Sequence, residues 1–283
     1  MEQIEKLEKL DFAKHGSNIC IALTNIHQYE EPCISGTKGS GTIFFSHCNL
    51  RCCYCQNYEI SAQGLGKEIT VERLAEIFLQ QQEKKVHNIN LVTPTIYVPS
   101  IIKAIQIARK HGLDIPIIYN SSGYETIQTI GMLKGYIDIY MPDLKYAQNK
   151  LAIQYSNANQ YFDYATSAIK AMYQQVGKPI FNQQGILQRG VLIRHLILPN
   201  HIKNTMEVLK WIKENLEENV LISVMAQYFP TYRAKNIPDL NRKLTKREYK
   251  KVEEYLYELD LKNGYMQEIG EQEEKYVPNF KYT

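Results

Sequence analysis

Short runs of aliphatic and aromatic residues alternate with longer amphipathic runs through most of the chain. Residues 42–46 (TIFFS), 88–92 (NINLV), 115–119 (IPIIY), 136–141 (YIDIYM), 190–198 (GVLIRHLIL) and 220–225 (VLISVM) are compact and rich in β-branched or aromatic side chains. Proline or a polar cluster stops each one, and the pattern predicts six strands. Between them, 71–85 sets Val71, Leu74, Ile77 and Phe78 at helical spacing, and 98–111 carries Ile101, Ile102, Ile105 and Ala108 on one face before Gly112. Helices are also expected over 124–134, 157–176, 205–217 and 245–261, the last with repeated Lys and Glu that mark a solvated face. Six βα units in succession predict an α/β fold with a parallel sheet and right-handed crossovers: a barrel or part of one, with a doubly wound open sheet as the competitor. Residues 1–40 read as an N-terminal extension across one end of a 41–262 core. Residues 263–283, with GEQEEKY, read as a polar tail.

The strand ends are unusually polar. They run into the cysteine cluster, Thr93-Pro94-Thr95, Asn120-Ser121-Ser122-Gly123, Pro142-Asp143-Leu144-Lys145, Pro199-Asn200-His201 and Ala226-Gln227-Tyr228. Asn, Ser and Pro are turn residues in any fold. Barrel enzymes, however, keep their chemistry where strands end and βα loops begin, so six polar ends point to one shared site.

Charge narrows the options. With 33 basic and 30 acidic residues the net charge is +3, which favours no polyanion, and no nucleic-acid partner is expected. No apolar stretch is long enough for a bilayer span, and the opening MEQIEKLEKLDFAKHG lacks an apolar signal core. A cytoplasmic protein with no membrane partner is the expectation.

The cysteines are more informative. Of Cys20, Cys33, Cys48, Cys52, Cys53 and Cys55, four fall within eight residues, a cluster that could staple no distant loops and so suggests metal binding. Cys48, Cys52 and Cys55 are spaced C-x3-C-x2-C. One short loop can wrap three corners of a cubane with that spacing and leave the fourth iron without a protein thiolate. A cluster held by four cysteines is closed and suits electron transfer; an open iron can bind a substrate or cofactor. Two alternatives stand beside this. Cys52 and Cys55 could form one pair of a zinc site, with His47 adding a ligand. Cys53 could replace Cys52 in a C-x4-C-x-C set, although it reads better as a small packed hydrophobe.

The cysteine loop, directly after the first core strand and with Tyr54 before its third cysteine, resembles the signature of the radical S-adenosylmethionine (radical SAM) superfamily. The segments 30–37 (EEPCISGT), 39–46 (GSGTIFFS), 48–61 (CNLRCCYCQNYEIS), 91–97 (LVTPTIY), 140–146 (YMPDLKY) and 194–200 (RHLILPN) resemble the PflX-like proteins related to pyruvate formate-lyase activating enzyme. The resemblance spans about residues 30–261. It implies a partial (β/α)6 TIM-type barrel of parallel strands with a short N-terminal extension. It also implies a [4Fe-4S] cluster on Cys48, Cys52 and Cys55, with S-adenosylmethionine chelated at the open iron. Reductive cleavage would then give a 5′-deoxyadenosyl radical that takes hydrogen from a protein, peptide or small-molecule substrate, in the manner of a glycyl-radical-enzyme activase. The electron would come from a flavodoxin- or ferredoxin-type reductant. Without SAM turnover, the chain would be an iron–sulfur electron-transfer protein or a zinc-stabilised binding module.

The resemblance also implies roles at the strand ends. Thr93 stands where activases orient the methionyl amine, although Thr-Pro-Thr replaces their glycine-rich acidic segment. Asn120, Ser121 and Ser122 carry amide and hydroxyl groups suited to the carboxylate or ribose, and Gln227 is a further cofactor contact. Asp143 matches an aspartate that holds a monovalent cation, and Lys145 completes the DLK element beside it as a catalytic candidate. Arg194 and His195 are adjacent on a strand and so face opposite ways; the matching arginine of activases makes Arg194 the catalytic candidate and leaves His195 in the core. His201 is a further pocket candidate, and Tyr228 one for closing the adenine side. The chain departs from its relatives at His47, where glycine is usual, and in having only Cys20 where many carry a cysteine-rich stretch.

Overall fold

The aliphatic runs form a largely parallel sheet in a computed structural model that describes residues 19–216, 219–267 and 280. In chain order its strands are β1 (Ile19–His27), β2 (Ser40–Phe45), β3 (Lys67–Ile69), β4 (Ile89–Val92), β5 (Ile117–Ser121), β6 (Ile139–Pro142), β7 (Ile180–Phe181), β8 (Leu187–Leu196), β9 (Leu221–Met225) and β10 (Gly264–Met266). The spatial order is β10-β9-β8-β6-β5-β4-β2-β1-β3, with β7 antiparallel on β8. From β2 to β10 every neighbouring pair along this path is parallel. β1 lies antiparallel on β2, and β3 antiparallel on β1.

All residues of β2, β4, β5, β6 and β9 are buried. Both faces of a parallel sheet are covered, which is why these strands are predominantly apolar. The path stays open, with β10 at one end and β3 at the other, so the architecture is a partial barrel.

The covering helices are α1 (Val71–Glu83), α2 (Val98–Lys110), α3 (Ile127–Met132), α4 (Asn149–Ser156), α5 (Tyr161–Val176), α6 (Ile202–Asn215) and α7 (Lys246–Glu258). Their starts are written in the sequence. Thr70 and Thr126 accept from Arg73 N and Thr129 N, and Thr245 forms a reciprocal capping box with Glu248. α7 buries only Val252, in keeping with its solvated face.

Three expectations change. The helix expected over 157–176 begins only at Tyr161. Asn157 and Gln160 are left-handed, with φ of 51° and 53°, and the separate helix α4 ends at Ser156 just before them. β1 lies within the 1–40 extension and β10 within the 263–283 tail, so the sheet continues across both boundaries. Residues 1–18 and most of that tail fall outside the described residues.

The core is rich in tyrosine, in a chain with 21 Tyr and 8 Phe. Tyr119, Tyr140, Tyr146, Tyr155, Tyr161 and Tyr228 are among the largest fully buried side chains. A buried phenol needs a partner. Each of these has one, from Glu125 for Tyr119 to the Leu240 carbonyl for Tyr228.

Candidate active site

The cysteine loop leaves the C-terminal end of β2 and is clamped to the end of α4. Arg51 N donates to Ser156 O (3.1 Å), Cys53 N donates to Tyr155 O (2.7 Å), and Ala234 N donates to Cys53 O (2.9 Å). The six cysteines are free thiols. Cys48, Cys52 and Cys55 are half-buried, while Cys20, Cys33 and Cys53 are buried. Cys53 is 8% exposed and belongs to the main apolar core, as a packed small hydrophobe would.

Each half-buried sulfur has a hydrogen-bond partner. Leu50 N donates to Cys48 Sγ (3.4 Å), Ser156 Oγ donates to Cys52 Sγ (3.0 Å), and Ser61 Oγ lies 3.1 Å from Cys55 Sγ. Burial, then the charge of Cys52, pushes the Cys48 thiol up to about 12 and the Cys55 thiol to about 11. Burial also raises Cys52, against the pull of Lys145 and Ser156. Three thiolates that repel one another become stable when metal neutralises them. Among the described residues no three His, Cys, Asp or Glu side chains could hold a metal ion between them. A zinc site needs several ligands on one ion, whereas each iron of a cubane takes its own thiolate. The donor set thus fits a cluster with three protein ligands.

His47 has a φ of 66°. Left-handed backbone is where glycine is favoured and histidine tolerated, which accounts for the glycine usual at this place. The His47 ring packs against Gly64, where an added Cβ would come within 2.4 Å of it.

A second set of groups gathers at the ends of β5, β6 and β8. A Cβ on Gly123 would sit 2.1 Å from the Asp143 carbonyl oxygen, so only glycine lets these strand ends approach. Arg194 Nη1 donates to Glu30 Oε2 (3.0 Å) and Nη2 to Asn120 Oδ1 (2.8 Å), while Nε lies 3.5 Å from Asp143 Oδ1. Lys145 Nζ lies 2.5 Å from Asp143 Oδ2. Burial raises the Asp143 carboxyl, but Lys145 and Arg194 together outweigh it and hold the group below its ordinary value. His195 faces the other way. It is fully buried, with Nδ1 2.6 Å from Leu144 O and Nε2 2.9 Å from Thr205 Oγ1, and burial lowers it to about 4. The division between Arg194 and His195 follows the strand alternation.

Two cationic side chains, Lys145 and Arg194, flank the Asp143 carboxylate, where the resemblance implies a monovalent cation. The residues missed in the sequence are Glu30 and Glu31. Glu30 Oε1 accepts from Asn90 Nδ2 (3.0 Å) while its other oxygen takes Arg194. Burial raises the neighbouring Glu31 carboxyl, against the attraction of Arg194. Their signal was two consecutive acids before Pro32-Cys33, in a segment assigned to a peripheral extension.

A cavity of about 590 Å³ lies beside these groups, lined in part by Gln56 and Asn57 of the cysteine loop and by Glu30, Asn120, Arg194 and Gln227. Its wall includes His27 at the end of β1 and Tyr265 of β10, so it spans the seam between the two ends of the sheet. Thr93, Ser121, Ser122, Asp143 and Lys145 are not part of this wall. Ser121 Oγ accepts from Gly123 N (3.2 Å), and Ser122 Oγ donates to Asn49 Oδ1 (3.3 Å). Thr93 is left-handed, with a φ of 60°, and its N–H donates to Asn120 O (2.9 Å). For a β-branched residue that conformation costs about 1–3 kcal/mol. His201 bonds the Tyr155 hydroxyl (2.9 Å), and the buried Tyr228 donates to Leu240 O (2.7 Å). Neither lines the cavity.

Residues 42–182 match the radical SAM superfamily and form a radical SAM domain. Members of this family use a [4Fe-4S] cluster and S-adenosylmethionine. The chain is similar to the uncharacterized protein MJ0674 of Methanocaldococcus jannaschii, at 35% identity over 234 residues, covering 78% of this chain and 64% of that protein. Among solved structures, native anSMEcpe with bound AdoMet is similar with a TM-score of 0.52 at 14% identity, over 78% of this chain and 61% of the other. A cysteine-to-serine mutant of spore photoproduct lyase gives a TM-score of 0.55 at 9% identity, over 79% of this chain and 74% of the other. At these identities the two structures show the shared fold. The chain spans less than two thirds of the length of the archaeal relative and of anSMEcpe. Among the described residues no helix is long and apolar enough to cross a membrane.

Proposed function

We propose that this chain is a radical SAM enzyme that cleaves S-adenosylmethionine reductively and abstracts hydrogen from a substrate, in the manner of pyruvate formate-lyase activating enzyme. The observation that carries the reading is the set of three free, half-buried cysteines, each with its own hydrogen-bond partner, on the loop after the first parallel strand and beside a cavity at the strand ends. When bound, a cluster on Cys48, Cys52 and Cys55 supplies a single low-potential electron and an iron open to the cofactor.

The remaining roles belong to side chains. Arg194 holds Asn120 and Glu30 in place on the cavity wall, and its own charge is balanced by Glu30 and Asp143. Asn120 and Gln227 offer amide groups to the cofactor from that wall. Thr93 positions Asn120 through the backbone, and Ser121 and Ser122 fix the turn that follows. Lys145 supplies positive charge beside the cysteines while tied to Asp143. A peptide or a glycyl-radical-enzyme loop is the substrate class we favour, because the cavity spans an open seam in the sheet. A flavodoxin- or ferredoxin-type protein would be the reductant, and the cytoplasm the compartment.

The test is anaerobic reconstitution with iron and sulfide, followed by dithionite and S-adenosylmethionine. The expected product is 5′-deoxyadenosine, absent in Cys52→Ala. A colourless, zinc-loaded protein would overturn the reading, as would a cubane whose fourth iron already carries a side chain. A glycyl-radical enzyme labelled with deuterated glycine tests the substrate class: deuterium in the 5′-deoxyadenosine supports it, and unlabelled product rejects it.

A further inference from the structure

Behind Cys52 runs a line of three buried hydroxyls. Tyr54 OH lies 2.6 Å from Tyr146 OH, and Tyr146 OH lies 2.7 Å from Ser156 Oγ. Ser156 Oγ lies 3.0 Å from Cys52 Sγ. The three residues are buried, at 6%, 0% and 0% exposure. They come from three places in the chain: the cysteine loop itself, the loop after β6, and the last residue of α4.

Proton counting fixes the direction of this line. Each hydroxyl has one proton to give, and a thiolate bound to iron can only accept. Ser156 therefore donates to Cys52, its oxygen accepts from Tyr146, and the Tyr146 oxygen accepts from Tyr54. All three protons point toward the sulfur, and each bond polarises the next. Cys48 faces a backbone amide and Cys55 a serine hydroxyl, so Cys52 is the ligand with a relay behind its donor. Hydrogen bonds to the sulfurs are one of the levers that set an iron–sulfur potential, because they stabilise the added negative charge of the reduced state.

We propose that Ser156, with Tyr146 and Tyr54 aligned behind it, is a positioning residue that stabilises charge on Cys52 and raises the reduction potential of the cluster. The proposal rests on the cluster assignment above and deepens it. None of the three hydroxyls touches substrate; they act through the sulfur.

The test is a potentiometric titration of the reconstituted holoenzyme with dithionite, followed by electron paramagnetic resonance of the reduced cluster. Ser156→Ala is expected to move the midpoint to more negative potential. Tyr146→Phe should move it less in the same direction, and Tyr54→Phe least. Ser156→Thr, which keeps the hydroxyl, should restore the wild-type midpoint. A merely structural role would lower iron and sulfide content without moving the midpoint of the cluster that remains. Tyr146→Phe keeps the test decisive should Ser156→Ala lose its cluster, since its ring still fills the core. Wild-type midpoints in both Ser156→Ala and Tyr146→Phe would overturn the relay. If the cluster forms and 5′-deoxyadenosine is made but the midpoints do not move, only the relay falls. If the wild-type protein builds no cubane, both proposals fall.

Discussion

The cysteine loop and the charged group at the ends of β6 and β8 lie in the same site and are held in opposite ways. In the charged group, Glu30 and Asp143 pair with Arg194 and Lys145, and the buried Glu31 is also drawn to Arg194. Buried ions paired in this way form a closed unit, and removing one member strands the others. The loop has no such closure. Its sulfurs meet hydrogen-bond donors, and each additional thiolate makes the others harder to form. The contrast separates what the fold needs for itself from what it prepares for a bound group.

The contrast can be broken by substitution. Arg194→Met removes the cation from Glu30 and leaves Asp143 with Lys145 alone, and a loss of about 3–5 kcal/mol is expected in denaturant unfolding of the metal-free protein. Cys52→Ala in the same assay should cost about 1 kcal/mol, the value of one hydrogen bond. A loss in Cys52→Ala as large as in Arg194→Met would show that the loop also belongs to the fold.

His195 sharpens the picture with pH. Its folded value of about 4 lies below the ordinary 6.5, so between these the unfolded chain holds a proton that the folded chain does not. Stability should fall as pH drops through that window, by about 3 kcal/mol in all. His195→Asn should flatten this part of the stability profile.

Asp143 acts at still lower pH. Its depressed value gives stability that is present above the ordinary carboxylate range and lost as pH falls through the folded value. Asp143→Asn should remove this acid limb and cost about 2 kcal/mol near neutrality, because Lys145 and Arg194 lose a shared partner.

The smallest effect belongs to His47. His47→Gly relieves a left-handed backbone and should raise the thermal midpoint, by about 1 kcal/mol or less in free energy. Iron content is expected to stay unchanged; a loss of iron would return His47 to the list of ligands.

The six parallel strands were legible because five of them are buried throughout and all carry compact runs of β-branched or aromatic residues. β1 was not, since only Ile19, Cys20 and Ala22 of its nine residues are buried. β10 spans three residues, too short for any pattern, and its pairing depends on Gly264 letting the backbone approach Ile222. In the site, the cysteine spacing was legible because the three proposed ligands sit in one loop. Ser156 was not, because it meets Cys52 across 104 residues, through a helix ending that the periodicity of 157–176 concealed. Thr93, Asp143 and Lys145 were read at the right strand ends, yet alternation along a strand could not say which of them would reach the cavity wall.

The contact between Glu30 and Arg194 spans 164 residues. At ribosomal speeds of 5–20 residues per second, the arginine emerges roughly 10–30 s after the glutamate. During that interval the nascent chain carries an acidic pair with no counter-ion from β8, and the interior between the early strands cannot yet be sealed. The matched stretch 42–182 contains neither partner, so transplanting that stretch alone would leave the latch of the barrel behind on both sides.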